Sequence, residues 1–149
     1  MTDYTLTIRH ELCWGCKTCE VACKQEHDTP VGIRLIEVLE EGPVAGADGL
    51  SFSYRVNTCR HCNPPPCAEA CPEEVIEISA DGIVSMDSDG CTGCQSCMAA
   101  CPYGAIDFDG EAGVALKCDM CYRRVENGLY PACADNICPA HCITFQINP

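Results

Sequence analysis

The chain has 149 residues and 17 cysteines, about one residue in nine, with 22 Asp+Glu against 9 Lys+Arg and a formal net charge of -13. Hydrophobic residues make up 47%, but without the cysteines this falls to about 36%, thin for a domain of this length. A core of aliphatic side chains alone would be weak, so something must crosslink the chain. The acidity argues against a phosphate-backbone partner, and no nucleic acid is expected.

No apolar run approaches the roughly 18 residues of a membrane helix, so no direct membrane span is expected. Met1 to Leu12 lacks a signal-peptide core and a twin-arginine motif. A cytoplasmic location follows as the expectation, with export alongside a signal-bearing partner left open. The cysteine count is odd, which suits metal-bound thiolates better than a disulfide framework.

In chain order, Tyr4, Leu6 and Ile8 alternate with polar residues and predict a strand. A first cysteine run follows at Cys13, Cys16, Cys19 and Cys23, with a helix predicted over 19–26. Gly42 to Leu50 reads as a loop, and Phe52, Tyr54 and Val56 as a strand. The second run is Cys59, Cys62, Cys67 and Cys71, with a stiff Pro64–Pro66 loop and a helix predicted over 68–71. Residues 75–79 and 83–86 form a predicted hairpin around Ala80-Asp81-Gly82. The third run is Cys91, Cys94, Cys97 and Cys101, with a helix predicted over 97–101. Strands are expected at Ile106 and Phe108 and at Val114 and Leu116. The fourth run is Cys118, Cys121, Cys133 and Cys138, with Cys142 left over. A helix is predicted over 121–127, stopped by Gly128, and a last strand at Ile143, Phe145 and Ile147.

Three cysteines at two-residue spacing curl the backbone around three corners of an iron–sulfur cube. In two-cluster ferredoxin runs, the fourth cysteine, followed by proline, serves the other cluster. Cys71-Pro72, Cys101-Pro102 and Cys138-Pro139 fit that rule, and Cys23-Lys24 departs from it. Spacing then assigns one [4Fe-4S] cluster to Cys59, Cys62, Cys67 and Cys101, and a second to Cys91, Cys94, Cys97 and Cys71. A third takes Cys118, Cys121, Cys133 and Cys23. The last takes Cys13, Cys16, Cys19 and Cys138, with Cys142 as the alternative to Cys138. The expected fold class is α+β, with two bacterial-ferredoxin-like modules. Residues 55–109 form an inserted module inside an outer one built from 1–54 and 110–149.

The stretches CWGCKTCEVACKQEH, CRHCNPPPCAEACP, CTGCQSCMAACPYGAI and KCDMCYRRVENGLYPAC resemble the four-cluster electron-transfer subunits of molybdenum and tungsten oxidoreductases of the dimethyl sulfoxide reductase group. The chain's compactness is similar to the partner subunits of aldehyde ferredoxin oxidoreductase-type tungsten enzymes, including class II benzoyl-CoA reductase. The resemblance implies a non-catalytic subunit of anaerobic metabolism, partnered by a large molybdenum- or tungsten-pterin subunit. A further redox subunit or soluble ferredoxin would be the other partner. CADNICP carries one residue more than the family pattern before its last cysteine, and Cys142 stands where alanine is usual.

Two alternatives remain: a free-standing polyferredoxin and a structural zinc module, the latter poorly suited to cysteine triplets. No Cys-x3-Cys-x2-Cys radical motif is present. None of His10, His27, His61 and His141 has the paired spacing of a Rieske site, so no histidine ligand is expected. Cys142 is expected to be a buried packing thiol, and Trp14 to pack against its surroundings, with shielding a cluster or packing on a partner as the alternatives. Arg123 and Arg124 suit a solvated helix face or a partner contact.

Overall fold

A computed structural model describes residues 3–134 and 136–148. Among them are eight strands in four two-stranded antiparallel sheets, with four short α-helices and one 3-10 turn, His10–Leu12, between them. Strand β1 (Asp3–Ile8) pairs with β8 (Ile143–Asn148), so the two ends of the chain lie side by side. Leu6 faces Phe145 in that register, and Tyr4 stacks on Phe145 with ring centroids 5.7 Å apart.

Helix α1 (Thr18–His27) carries Cys19 and Cys23 on one buried side, four residues apart. Helices α2 (Pro66–Glu69), α3 (Ser96–Ala100) and α4 (Tyr122–Glu126) each make little more than one turn. Pro66 is the first residue of α2, where a missing N–H costs nothing. It starts that helix two residues earlier than the sequence predicts. Gly128 ends α4 at φ +73°, and Leu129 N–H reaches back to the Arg124 carbonyl at 3.0 Å.

The long hairpin of β2 (Ile36–Gly46) and β3 (Gly49–Thr58) corrects the reading of 42–50 as a loop. Ile36 and Val38 face the core, but beyond Glu40 every residue of β2 is exposed. No alternation of apolar residues marks that part as strand. Gly46 pairs with Gly49, so Ala47-Asp48 forms a two-residue turn. The ladder shifts register between Glu41 and Val44, where Pro43 has no N–H to donate. The other hairpins are β4 (Ile76–Ile78) with β5 (Val84–Met86), and β6 (Ile106–Asp109) with β7 (Val114–Lys117).

Apolar burial falls into two groups. One joins α1, the base of the β2–β3 hairpin, α4 and β8 through Leu35, Val56, Ile83, Val125 and Phe145. The smaller joins Cys67, Ile76, Val84, Cys97, Ile106 and Ala115. Cysteines belong to both groups, so the cysteine sites lie within the packed interior. No helix among the described residues is long and apolar enough to cross a membrane.

Candidate iron–sulfur centres

The second residue after the first cysteine of each run takes the left-handed conformation. These are Gly15 (φ +71°), His61 (φ +47°), Gly93 (φ +71°) and Met120 (φ +58°). The sequence marks only the two glycines, because left-handed backbone is costly for other residues and is here imposed by the surroundings. The conformation turns the backbone N–H toward sulfur. Gly15 N–H donates to Cys13 Sγ at 3.5 Å, His61 N–H to Cys59 Sγ at 3.4 Å, and Met120 N–H to Cys118 Sγ at 3.3 Å.

Further donors point at other sulfurs. The Thr18 hydroxyl reaches Cys16 Sγ at 3.3 Å, Ala105 N–H reaches Cys101 Sγ at 3.4 Å, and Ala132 N–H reaches Cys121 Sγ at 3.4 Å. Such donors stabilise anionic sulfur. At the solvent-exposed Cys94, the Ser96 hydroxyl lowers the thiol pKa below its ordinary value.

A Cβ on Gly93 would fall on the carbonyl oxygen of Gly113. Gly104 is also left-handed, at φ +58°, but nothing lies within 4 Å of a Cβ there. Gly104→Ala should therefore cost only the conformational strain, about 1 kcal/mol. Gly93→Ala must also displace backbone and should cost about 2 kcal/mol or more. The thermal midpoint should fall by roughly 2–4 °C per kcal/mol. Equal midpoints for the two variants would contradict the close approach at Gly93.

Cys71, Cys91, Cys94 and Cys97 line one cavity together with Val75, Ile76 and Met86. Cys59, Cys62, Cys67 and Cys101 line another, with Pro66, Val84, Ile106 and Lys117. Cys23 comes from α1 to join the fourth run. Burial raises its thiol pKa, and the neighbouring Cys118 and Cys121 raise it further. Cys133 is raised by burial and then by Cys118, Cys121 and Cys23. Burial lifts the Cys19 thiol to about 12, with Cys16 and Cys13 adding to the rise.

Cys138 and Cys142 are both buried, with sulfurs 3.4 Å apart. Burial raises Cys142 to about 12, followed by its bond to Cys138 and its contact with Cys13. At Cys138 burial acts upward, but hydrogen bonds from Cys142, Ala140 and Ile143 together outweigh it and the thiol is lowered. Both sulfurs therefore stand at the site of the first run.

The histidines divide. His10 Nδ1 accepts the Val56 N–H at 3.1 Å, and His141 is exposed. His27 Nε2 lies 3.3 Å from Cys121 Sγ and 3.5 Å from Asp119 Oδ1, a contact the sequence spacing does not reveal. His61 Nδ1 accepts the Val84 N–H at 3.0 Å, so its proton sits on Nε2, which is buried without a partner. Burial, then the nearby Lys117, push the His61 pKa down to about 3. Trp14 is 65% exposed, which corrects its expected packing. The curl that turns Cys13 inward leaves its neighbour facing solvent. Arg124 bonds Glu26 at 3.1 Å and the Tyr130 carbonyl at 2.7 Å, so its role is intramolecular.

This chemistry fits iron–sulfide cubes. The donor set is all sulfur, backbone N–H groups aim at it, and the buried Nε2–H of His61 has no acceptor among the described residues. Residues 50–148 match the family described as a 4Fe-4S dicluster domain. The chain belongs to the 4Fe-4S dicluster family. An iron–sulfur subunit from Halobacterium salinarum, named for dimethyl sulfoxide reductase, is 40% identical over 97% of this chain and 66% of its own length. A polysulfide reductase subunit from Wolinella succinogenes is 38% identical, over 95% and 75%. The thiosulfate reductase electron transfer subunit PhsB of Salmonella typhi is 34% identical, over 96% and 75%. The chain thus spans about two thirds to three quarters of the length of these relatives.

Proposed function

We propose that this chain is the electron-transfer subunit of a reductase complex. It would hold four [4Fe-4S] clusters and relay electrons between a redox carrier or second redox subunit and a molybdenum- or tungsten-pterin catalytic subunit. The observation that carries the reading is a pair of cavities lined by four motif cysteines each, with Cys23, Cys118, Cys121 and Cys133 close together and Cys13 close to Cys142. The names of the relatives, which are subunits of dimethyl sulfoxide, polysulfide and thiosulfate reductases, support the class of complex.

Bound [4Fe-4S] clusters exchange single electrons and make no bond to a substrate. The chain's own part is to hold them close and dry. Adjacent sites share elements. Cys19 and Cys23 sit on α1 and serve the first and fourth runs. Cys118 feels the charge of Cys59, which supports a fourth-run site beside that of the second. Cys67 and Cys97 lie on α2 and α3, which pack together between the second and third runs. The sites thus follow one another in the order first, fourth, second, third. A tungsten enzyme of the aldehyde oxidoreductase or benzoyl-CoA reductase type is the finer form of the proposal, supported by the compactness of the sequence.

The test is anaerobic purification from the native source. About sixteen irons and sixteen sulfides per chain, co-eluting with a pterin-containing chain, are expected. A lone brown protein would make it a diffusing polyferredoxin instead. A colourless protein with stoichiometric zinc would overturn both.

A further inference from the structure

The two central cysteine sites share one buried cation. Lys117, the last residue of β7, is only 6% exposed. Its Nζ donates to the backbone carbonyls of Val84 and Cys118. An ammonium has three donors and no acceptor, so one N–H is left over. Among the described residues no carboxylate lies within ion-pair distance. The buried Asp109 turns its Oδ1 to the N–H groups of Glu111 and Ala112 instead. A buried charge without a counter-charge is costly, and such groups persist when something else supplies the opposite sign. Only three lysines occur in a chain of net charge -13, so cations are not in surplus.

The missing counter-charge has an evident place. Lys117 lines the same cavity as Cys59, Cys62, Cys67 and Cys101. It also bonds the carbonyl of Cys118, the first cysteine of the neighbouring site. A four-thiolate cluster there would be anionic, and more so when reduced.

We propose that Lys117 is the shared counter-charge of the two central clusters and stabilises their reduced forms. This rests on the cluster reading above. A fixed positive charge in a poorly polarisable interior favours the more negative redox state. It therefore raises the potential of each cluster it touches. Lys117 is a positioning residue and takes no electron itself.

The test uses the whole chain loaded with clusters under anaerobic conditions and titrated reductively with low-temperature EPR. In Lys117→Met, two of the four midpoint potentials should fall while the other two stay. Lys117→Arg keeps the charge and should restore both. Unchanged midpoints in Lys117→Met, at full iron and sulfide, would overturn the proposal. Should that variant not take up clusters, a Lys17→Arg/Lys24→Arg protein leaves Lys117 as the sole lysine. Labelled with 15N-lysine and partly reduced, it should show nitrogen hyperfine coupling by pulsed EPR, and its absence would equally overturn the proposal. Iron and sulfide far below sixteen per chain in the unmodified protein would instead refute the cluster reading itself.

Discussion

Stripping the iron from the loaded protein should leave a chain without fixed tertiary structure. The longest helix, α1, has 10 residues and the other three have four or five. Isolated helices shorter than about 12–15 residues are marginal in water. Every sheet among the described residues has two strands, too few for independent stability. Among the described residues nine of the 25 buried apolar ones are cysteines, so on the proposed function much of the interior consists of cluster ligands. The metal-binding free energy is then largely folding free energy.

Chelation under reducing conditions should abolish the near-ultraviolet circular dichroism and collapse amide exchange protection toward that of an unfolded chain. A stripped chain that still unfolds cooperatively would contradict this. Protons act against the metal in the same sense. In the stripped chain the thiols keep an ordinary pKa of about 8.5 and are protonated at neutral pH, and burial on refolding raises Cys19 and Cys121 further, to about 12. Cluster binding must displace those protons, and acidification favours iron loss. Bleaching of the visible absorbance should accelerate as pH falls.

Cys138→Ser/Cys142→Ser should lose one cluster of four, about a quarter of the iron. Either single substitution should keep the full complement. Both thiols are buried and 3.4 Å apart, and Cys142 also contacts Cys13. Either sulfur can therefore serve the site of Cys13, Cys16 and Cys19. Cys142 follows Cys138 by four residues, and its sulfur lies within reach of the same position. Iron and sulfide analysis with EPR of the reduced protein distinguishes the cases. Loss of a cluster from Cys142→Ser alone would make Cys142 the sole ligand, and from Cys138→Ser alone would make it Cys138.

The cysteine spacing alone was enough to indicate the chemistry, because ligand triplets and CP cysteines are local constraints on a short backbone curl. Seven of the eight strands were equally legible, since each alternates apolar and polar residues or flanks a turn signal. Strand β2 was not expected anywhere along 36–46: the alternation of Ile36 and Val38 is too short to announce it, and beyond Glu40 both faces meet solvent, so hydrophobic period carries no information there. Long-range placement was beyond the sequence for the same kind of reason. His27 meets Cys121 across 94 positions, and Lys117 meets Val84 across 33. Left-handed His61 and Met120 carry no glycine to announce them. Local pattern determines what the cysteines bind, whereas burial and through-space charge, which depend on how distant segments pack, decide which side chains surround them.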